Sequence, residues 1–202
     1  MPNLFHLFIL SLFTISFSGT PKQIISKEVI YLPIIPANFN DEKRESAEFI
    51  PWLGDRLLIW EDFQCAPKRN TDAVASTSTS LGLAYQLNNG DLTYQVTCNF
   101  SKTKSWGLVK TAYILAHEQA HFDITEIYAR RLYQALLEYK FDRKNYQKDI
   151  NRIYQKIVRE KEALQNLYDK QSDHSRNKHT QAAWLEIIDA LLIETDPYAN
   201  YP

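Results

Sequence analysis

The 202-residue chain has only two cysteines, five glycines and one methionine, and no excess of charge of either sign: 23 basic residues stand against 24 acidic ones, a formal net charge of −1. A nucleic-acid-binding chain normally carries a basic footprint, and none is present. Two cysteines, Cys65 and Cys98, allow one pairing; an exported chain permits a disulfide there, and two small buried thiols fit the same residues. Outside the first residues there is no apolar run approaching the roughly 20 residues of a membrane span. With 45% hydrophobic and 23% charged residues, the chain has the composition of one globular domain of moderate size.

What is present begins with an uncharged apolar leader, Leu4 to Phe17, ending in Ser16, Phe17 and Ser18, a small-x-small cleavage pattern. Residues 1–18 read as a secretory signal peptide, with an uncleaved anchor as the alternative, since no Lys or Arg precedes the run. No cysteine follows to accept a lipid. The body of the protein, 19–202, is expected to be secreted or periplasmic, with no membrane span once the leader is removed.

The body changes period near its middle. Ile24 to Ile35 is rich in β-branched residues between prolines, suggesting a first strand, and Asn38 to Ala47 reads as a surface connection. Leu57 to Trp60 suggests a short strand. Leu81, Leu83, Tyr85 and Leu87 alternate with smaller or polar residues, as do Leu92, Tyr94, Val96, Cys98 and Phe100, around Asn88, Asn89 and Gly90: a β-hairpin. Ser76 to Ser80 prolongs its first strand with a polar edge, which either meets solvent or accepts an extended peptide. From Leu108 to Tyr139 there is no Gly or Pro, and apolar residues recur at helical spacing, with Ser105 as N-cap. Tyr146 to Tyr168 and Ala182 to Leu192 predict two further helices. The fold class is α+β: a small, mostly antiparallel sheet over about 20–100, then a helical hairpin and a C-terminal helix over about 105–195.

The hairpin's first helix carries His117, Glu118, Gln119, Ala120 and His121, an HExxH sequence. Residues four apart on a helix diverge by about 40°, so two imidazoles can meet one zinc ion, while Glu118, about 100° from His117, can lean over it. That is the placement of a general base beside a zinc-activated water. Two buried core histidines would be the bland alternative, but they would leave several polar atoms needing partners.

A catalytic zinc needs a third protein ligand. Ile124 and Ile127 exclude a third histidine directly after the pair. Glu126 lies about 180° round the helix from His117 and suits an i,i+4 ion pair with Arg130; Asp123 lies on the same far side. Helix length is more informative. A chain that turns near Phe141, about 20 residues past the motif, returns to the motif's level near residue 163. This brings Glu162 to His179 into reach, with Tyr168, Asp169, Asp173, His174 and His179 in what reads as a functional loop. A third histidine fits best, and both His174 and His179 qualify. Asp169, ahead of Asp123 and Glu126, suits an orienting partner of an imidazole. Tyr168 is either an oxyanion donor or a core residue closing its helix's apolar stripe.

Trp60-Glu61-Asp62-Phe63, Ala75 to Ser78, Ser105-Trp106, His117 to Arg130 (HEQAHFDITEIYAR), Tyr168-Asp169 with His174, Gln181 and Trp184 together resemble a family of predicted secreted bacterial zinc-dependent proteases, long catalogued as a bacterial domain of unknown function. The resemblance implies a zincin-like metallopeptidase domain. Its late motif is similar to Tyr-Asp-x-x-Thr-x-His-Gly, with Ser172 here for Thr and Ser175 for Gly; it implies His174 as the third ligand, ahead of His179.

The expected function is therefore hydrolysis of a peptide or protein substrate at a single Zn2+ held by His117, His121 and His174, with Glu118 as base and Tyr168 assisting. The alternatives are a non-catalytic envelope protein with a structural zinc, whose fourth position would be closed, and a helical-hairpin binding module with no metal.

Overall fold

Residues 46–68 and 71–202 are described by a computed structural model. The leader, the strand expected at Ile24 to Ile35 and nearly all of the connection after it lie outside the described residues.

The hairpin forms as its alternation requires. β1 (Phe49–Pro51) and β3 (Thr79–Asn88) flank β4 (Asp91–Ser101) in an antiparallel sheet of order β1-β4-β3, and a separate two-stranded sheet pairs β2 (Ala75–Ser76) with β5 (Trp106–Gly107). Asn88 faces Asp91 across the turn, and the register carries Leu81 opposite Cys98 and Leu83 opposite Val96. Asn89 and Gly90 both have positive φ, 52° and 100°, the signature of a type I′ turn, which needs residues tolerant of that region. One sheet face buries Leu81, Val96, Cys98 and Phe100. The two cysteines are free thiols, and burial, with the Glu126 charge, pushes the Cys98 thiol well up.

Two expected local elements are replaced. Leu57 to Ile59 is not a strand: the chain runs irregularly into a 3-10 turn, Trp60–Asp62. Asp62 accepts the Ile59 N–H at 2.8 Å and pairs with Arg56, so a side chain, rather than a neighbouring strand, satisfies this backbone. The first helix, α1 (Ala112–Leu137), begins later than expected, capped by Thr111, whose hydroxyl oxygen accepts the Ile114 N–H. Ser105 does not cap it because its hydroxyl accepts the Ser78 N–H at 2.9 Å, and Trp106 and Gly107 are held in β5. Gly107 lies flat beneath the Trp60 indole; a Cβ there would come within 2.4 Å of the ring.

α1 runs through the centre of the fold. Ala120, Phe122, Ile124, Ile127, Ala129 and Leu132 are completely buried, enclosed by β3 and β4, by α2 (Tyr146–Ser172) and by α3 (Lys178–Glu194). α2 returns antiparallel and is more one-sided, burying Ile150, Tyr154, Ile157, Val158 and Tyr168. It extends through Ser172, so Tyr168 and Asp169 sit in its last turn and not in a loop. The architecture is the expected α+β one. Among the described residues, no helix is long and apolar enough to cross a membrane.

Candidate metal centre

The hairpin brings its two arms level where length predicts. Nε2 of His117 and Nε2 of His121, one turn apart on α1, each lie 3.1 Å from the same carboxylate oxygen, Asp169 Oδ1, on α2. These three ligand atoms lie within 4.8 Å of one another. The two imidazoles stand nearly perpendicular, at 86°, which lets both nitrogens point at one spot without the rings clashing.

Each group is held from behind. The Nδ1 of His121 faces the Gln165 side-chain oxygen. Gln165 in turn donates to the His121 carbonyl at 2.8 Å and to Thr125 at 3.3 Å, so it fixes both the ring and the turn that bears it. Tyr168 is fully buried and stacks on His117, centroids 4.6 Å apart and planes 25° from parallel; its hydroxyl donates to the His117 carbonyl at 3.5 Å. Trp184 of α3 meets Tyr168 edge-on and is itself pinned to Gln171. A chain of rings thus runs from α3 to the first histidine.

The electrostatics of the cluster favour a fixed anion. Burial raises the Asp169 pKa, but its bonds to His117 and His121 outweigh this and hold the carboxyl well below the usual range. Burial disfavours the charged His121 imidazole, yet the hydrogen bond and charge of Asp169 and the charge of Glu118 prevail and raise its pKa. Tyr168 is pushed far up, first by burial and then by Glu118 and Asp169, so its hydroxyl stays a donor.

The donor set fits a divalent transition metal. Ligand atoms around one tetrahedral zinc, with bonds near 2.0–2.2 Å, are separated by about 3.3–3.6 Å; each nitrogen lies 3.1 Å from the carboxylate oxygen, and all three atoms lie within 4.8 Å of one another. Two imidazoles and a carboxylate are a common zinc donor combination. Nδ1 of His117 is buried with no hydrogen-bond partner, so this ring's orientation is set by stacking on Tyr168 and by whatever its Nε2 binds.

Asp169, expected to orient a ligand, is the third member of the compact group. His174 is close by, its Nδ1 3.6 Å from Asp169 Oδ1, with its side chain 58% exposed. His179 is exposed in the first turn of α3 and is not among the residues lining the cavity. Asp123 does not orient an imidazole: it accepts from Trp52 and Gln119, each at 2.8 Å, and burial pushes its carboxyl to about 6. Glu126 pairs with Arg130 at 2.8 Å, as its angle on the helix requires. Gln165 was not singled out by sequence; its four-residue spacing from Asp169 was the available signal.

The cluster opens on a cavity of about 570 Å³ whose walls include Glu118, His174 and the run Ala75 to Thr79. The Ser/Thr run lies against α1: the Thr77 hydroxyl donates to the Glu118 carbonyl at 3.3 Å, and the hydroxyls of Thr79 and Thr125 bond at 2.7 Å.

His174 stands on an unusual loop. Asp173, His174 and Ser175 have φ of 49°, 50° and 70°, three consecutive non-glycine residues in the left-handed region, each costing roughly 1–2 kcal/mol. The loop is secured by the Tyr113 hydroxyl donating to the Ser175 carbonyl at 2.8 Å and by the Asn177 N–H on the Ser172 carbonyl. Ser175→Gly keeps both bonds and relieves the strain, partly offset by the greater freedom of the unfolded chain. It should stabilise the fold by about 0.5–1 kcal/mol and raise Tm by about 1–4 °C. A thermal melt that shows no rise would mean the loop is not strained at that residue.

The family model described as a bacterial protein of unknown function (DUF922) matches residues 60–175, a span that holds His117, Glu118, His121, Gln165, Asp169 and His174. No curated protein and no solved structure matches the chain.

Proposed function

The chain belongs to this bacterial family of unknown function, DUF922, and we propose that it is a zinc-dependent peptidase acting outside the cytoplasm. One observation carries the proposal: two imidazole nitrogens and a carboxylate oxygen converge within 4.8 Å beside Glu118, in the wall of an open cavity.

His117, His121 and Asp169 would hold the ion. A zinc there supplies Lewis acidity, polarising a carbonyl and lowering the pKa of a water toward about 7. The rest belongs to the chain's own residues. Glu118 follows His117 on a rigid, buried helix and reaches the same cavity, so its carboxylate can take a proton from the attacking water and pass it to the leaving amine. Gln165 and Tyr168 keep the imidazoles oriented. Tyr168 is a positioning residue in this scheme, because its hydroxyl lies buried on the His117 carbonyl and not in the cavity. The Ser/Thr run opposite Glu118 supplies polar backbone along which an extended peptide can be aligned, which favours a peptide over a small ester as substrate. The apolar leader supports export to the periplasm or the medium.

Metal analysis of the purified protein tests the site. One zinc per chain is expected. Asp169→Ala should weaken zinc binding by more than the roughly 10–100-fold that follows loss of a residue lying behind a ligand, and His174→Ala should weaken it less. A wild-type protein that takes up no zinc ends the proposal. One observation favours a second reading, a structural metal: His174 Nδ1 lies 3.6 Å from Asp169 Oδ1, near enough to close a fourth position. In that case His174→Ala and Asp169→Ala would weaken binding alike, and the zinc-loaded protein would cut no peptide in a mixed library.

A further inference from the structure

Lys161, Gln165 and Asp169 follow at four-residue spacing on α2, which puts them on one stripe of the helix, and all three line the cavity. Two of them are accounted for. Asp169 faces the imidazoles and Gln165 bridges His121 and Thr125. Lys161 is half-buried, and among the described residues no hydrogen bond or ion pair engages its ammonium. Burial lowers its pKa, against the opposing charge of the adjacent Glu162, as expected of a cation held partly out of water without a close counter-ion. The other charged groups of the cavity away from the metal cluster, Lys68 and Glu162, are both exposed. Thr77, Ser78 and Thr79 line the same cavity, so its wall is made by α2 and by the approach to and start of β3, an edge strand of its sheet.

We propose that Lys161 anchors the substrate by binding a carboxylate three or four residues from the bond that is cut. The spacing follows from the helix. Eight residues separate Asp169 from Lys161, about 12 Å at 1.5 Å per residue, and an extended peptide covers that distance in three to four residues at about 3.3 Å each. A carboxylate reaching a half-buried ammonium forms a charge-assisted hydrogen bond and replaces hydration that the cavity wall has removed. The carboxylate can come from an Asp or Glu side chain or from the substrate's own C-terminus. The inference rests on the peptidase reading for the meaning of the spacing, but its test does not require turnover.

The Glu118→Gln protein, loaded with zinc, is titrated in fluorescence anisotropy with labelled, amidated octapeptide pools that are random except at one position, fixed as Asp or as Asn. A second set compares free-acid with amidated pools of increasing length. The expected result is binding at least tenfold tighter for Asp over Asn at one position, or for the free acid at one length; the first assigns a side-chain carboxylate and the second a C-terminal one. Lys161→Met in the same background should bring that ratio to about one with zinc content unchanged, and Lys161→Arg should restore most of it. The proposal is overturned if no pool shows a carboxylate preference, or if the preference survives in Lys161→Met. Preference without any peptide cleavage by the wild type would remove the peptidase reading and leave the anchor; cleavage without preference would do the reverse.

Discussion

Glu118→Gln is expected to lower peptide turnover by about 10²–10⁴-fold, the usual contribution of a general acid-base group, while zinc content stays at the wild-type level. The two halves of this expectation come from different atoms. The metal would be held by Nε2 of His117, Nε2 of His121 and Oδ1 of Asp169, none of which the substitution touches. The variant keeps the backbone carbonyl that accepts the Thr77 hydroxyl and nearly the same side-chain volume, so the buried helix turn should be retained. What disappears is a carboxylate able to take a proton. Parallel measurement of kcat and KM is decisive, because a group acting on the reacting proton lowers kcat and kcat/KM together. A variant that binds zinc and cuts at the wild-type rate would remove Glu118 from the chemistry. Loss of zinc along with activity would show that Glu118 supports the site and leave its role as base without support.

The part of the site legible in the sequence is the part set by one helix. Four-residue spacing puts His117 and His121 on one face, and the same angular count assigns Glu126 to the opposite face with Arg130, as found. The returning arm is legible to within a few residues: counting helix length leads to residue 163, and the side chains that meet the imidazoles are Gln165 and Asp169. The choice between Asp169 and the histidines beyond it was not readable, because it depends on where α2 ends. Three more helical residues after Asp169 carry the chain to Ser172 before it turns, which directs Asp169 inward and leaves His174 on the left-handed loop. The misplaced N-cap has a similar cause. Ser105 is a sound cap by type, but its hydroxyl is engaged by the Ser78 N–H, a contact 27 residues away that no local pattern reveals. Likewise Leu57 to Ile59 resembles a strand in composition, but Asp62 and Gln119 side chains accept its amide hydrogens instead. Local periodicity specified the elements, and side-chain to backbone bonds across the sequence set their ends.

The same central helix should fail structurally, not catalytically, when its far side is altered. Glu126 and Arg130 are 1% and 4% exposed. Besides their mutual 2.8 Å bond, Glu126 accepts the Tyr201 hydroxyl at 2.7 Å, Arg130 donates to the Leu192 carbonyl at 2.8 Å, and its guanidinium lies 5.0 Å from the Trp52 ring centroid. These contacts tie α1 to β1's flank, to the end of α3 and to the final residues. Glu126→Ala removes the buried carboxylate and leaves the guanidinium with only the exposed Asp196 carboxylate, 3.8 Å away, a change that costs about 3–5 kcal/mol and should lower Tm by about 6–20 °C. Replacing both residues, Glu126→Leu with Arg130→Met, removes the uncompensated charge as well, and paired apolar replacement of a buried ion pair is often near neutral. The double variant should therefore recover more than half of the loss. Zinc content at a temperature where each variant is folded should match the wild type, since Glu126 lies on the opposite side of α1 from the imidazoles. Equal destabilisation in the single and double variants would show that packing around the pair, and not the stranded charge, sets the cost.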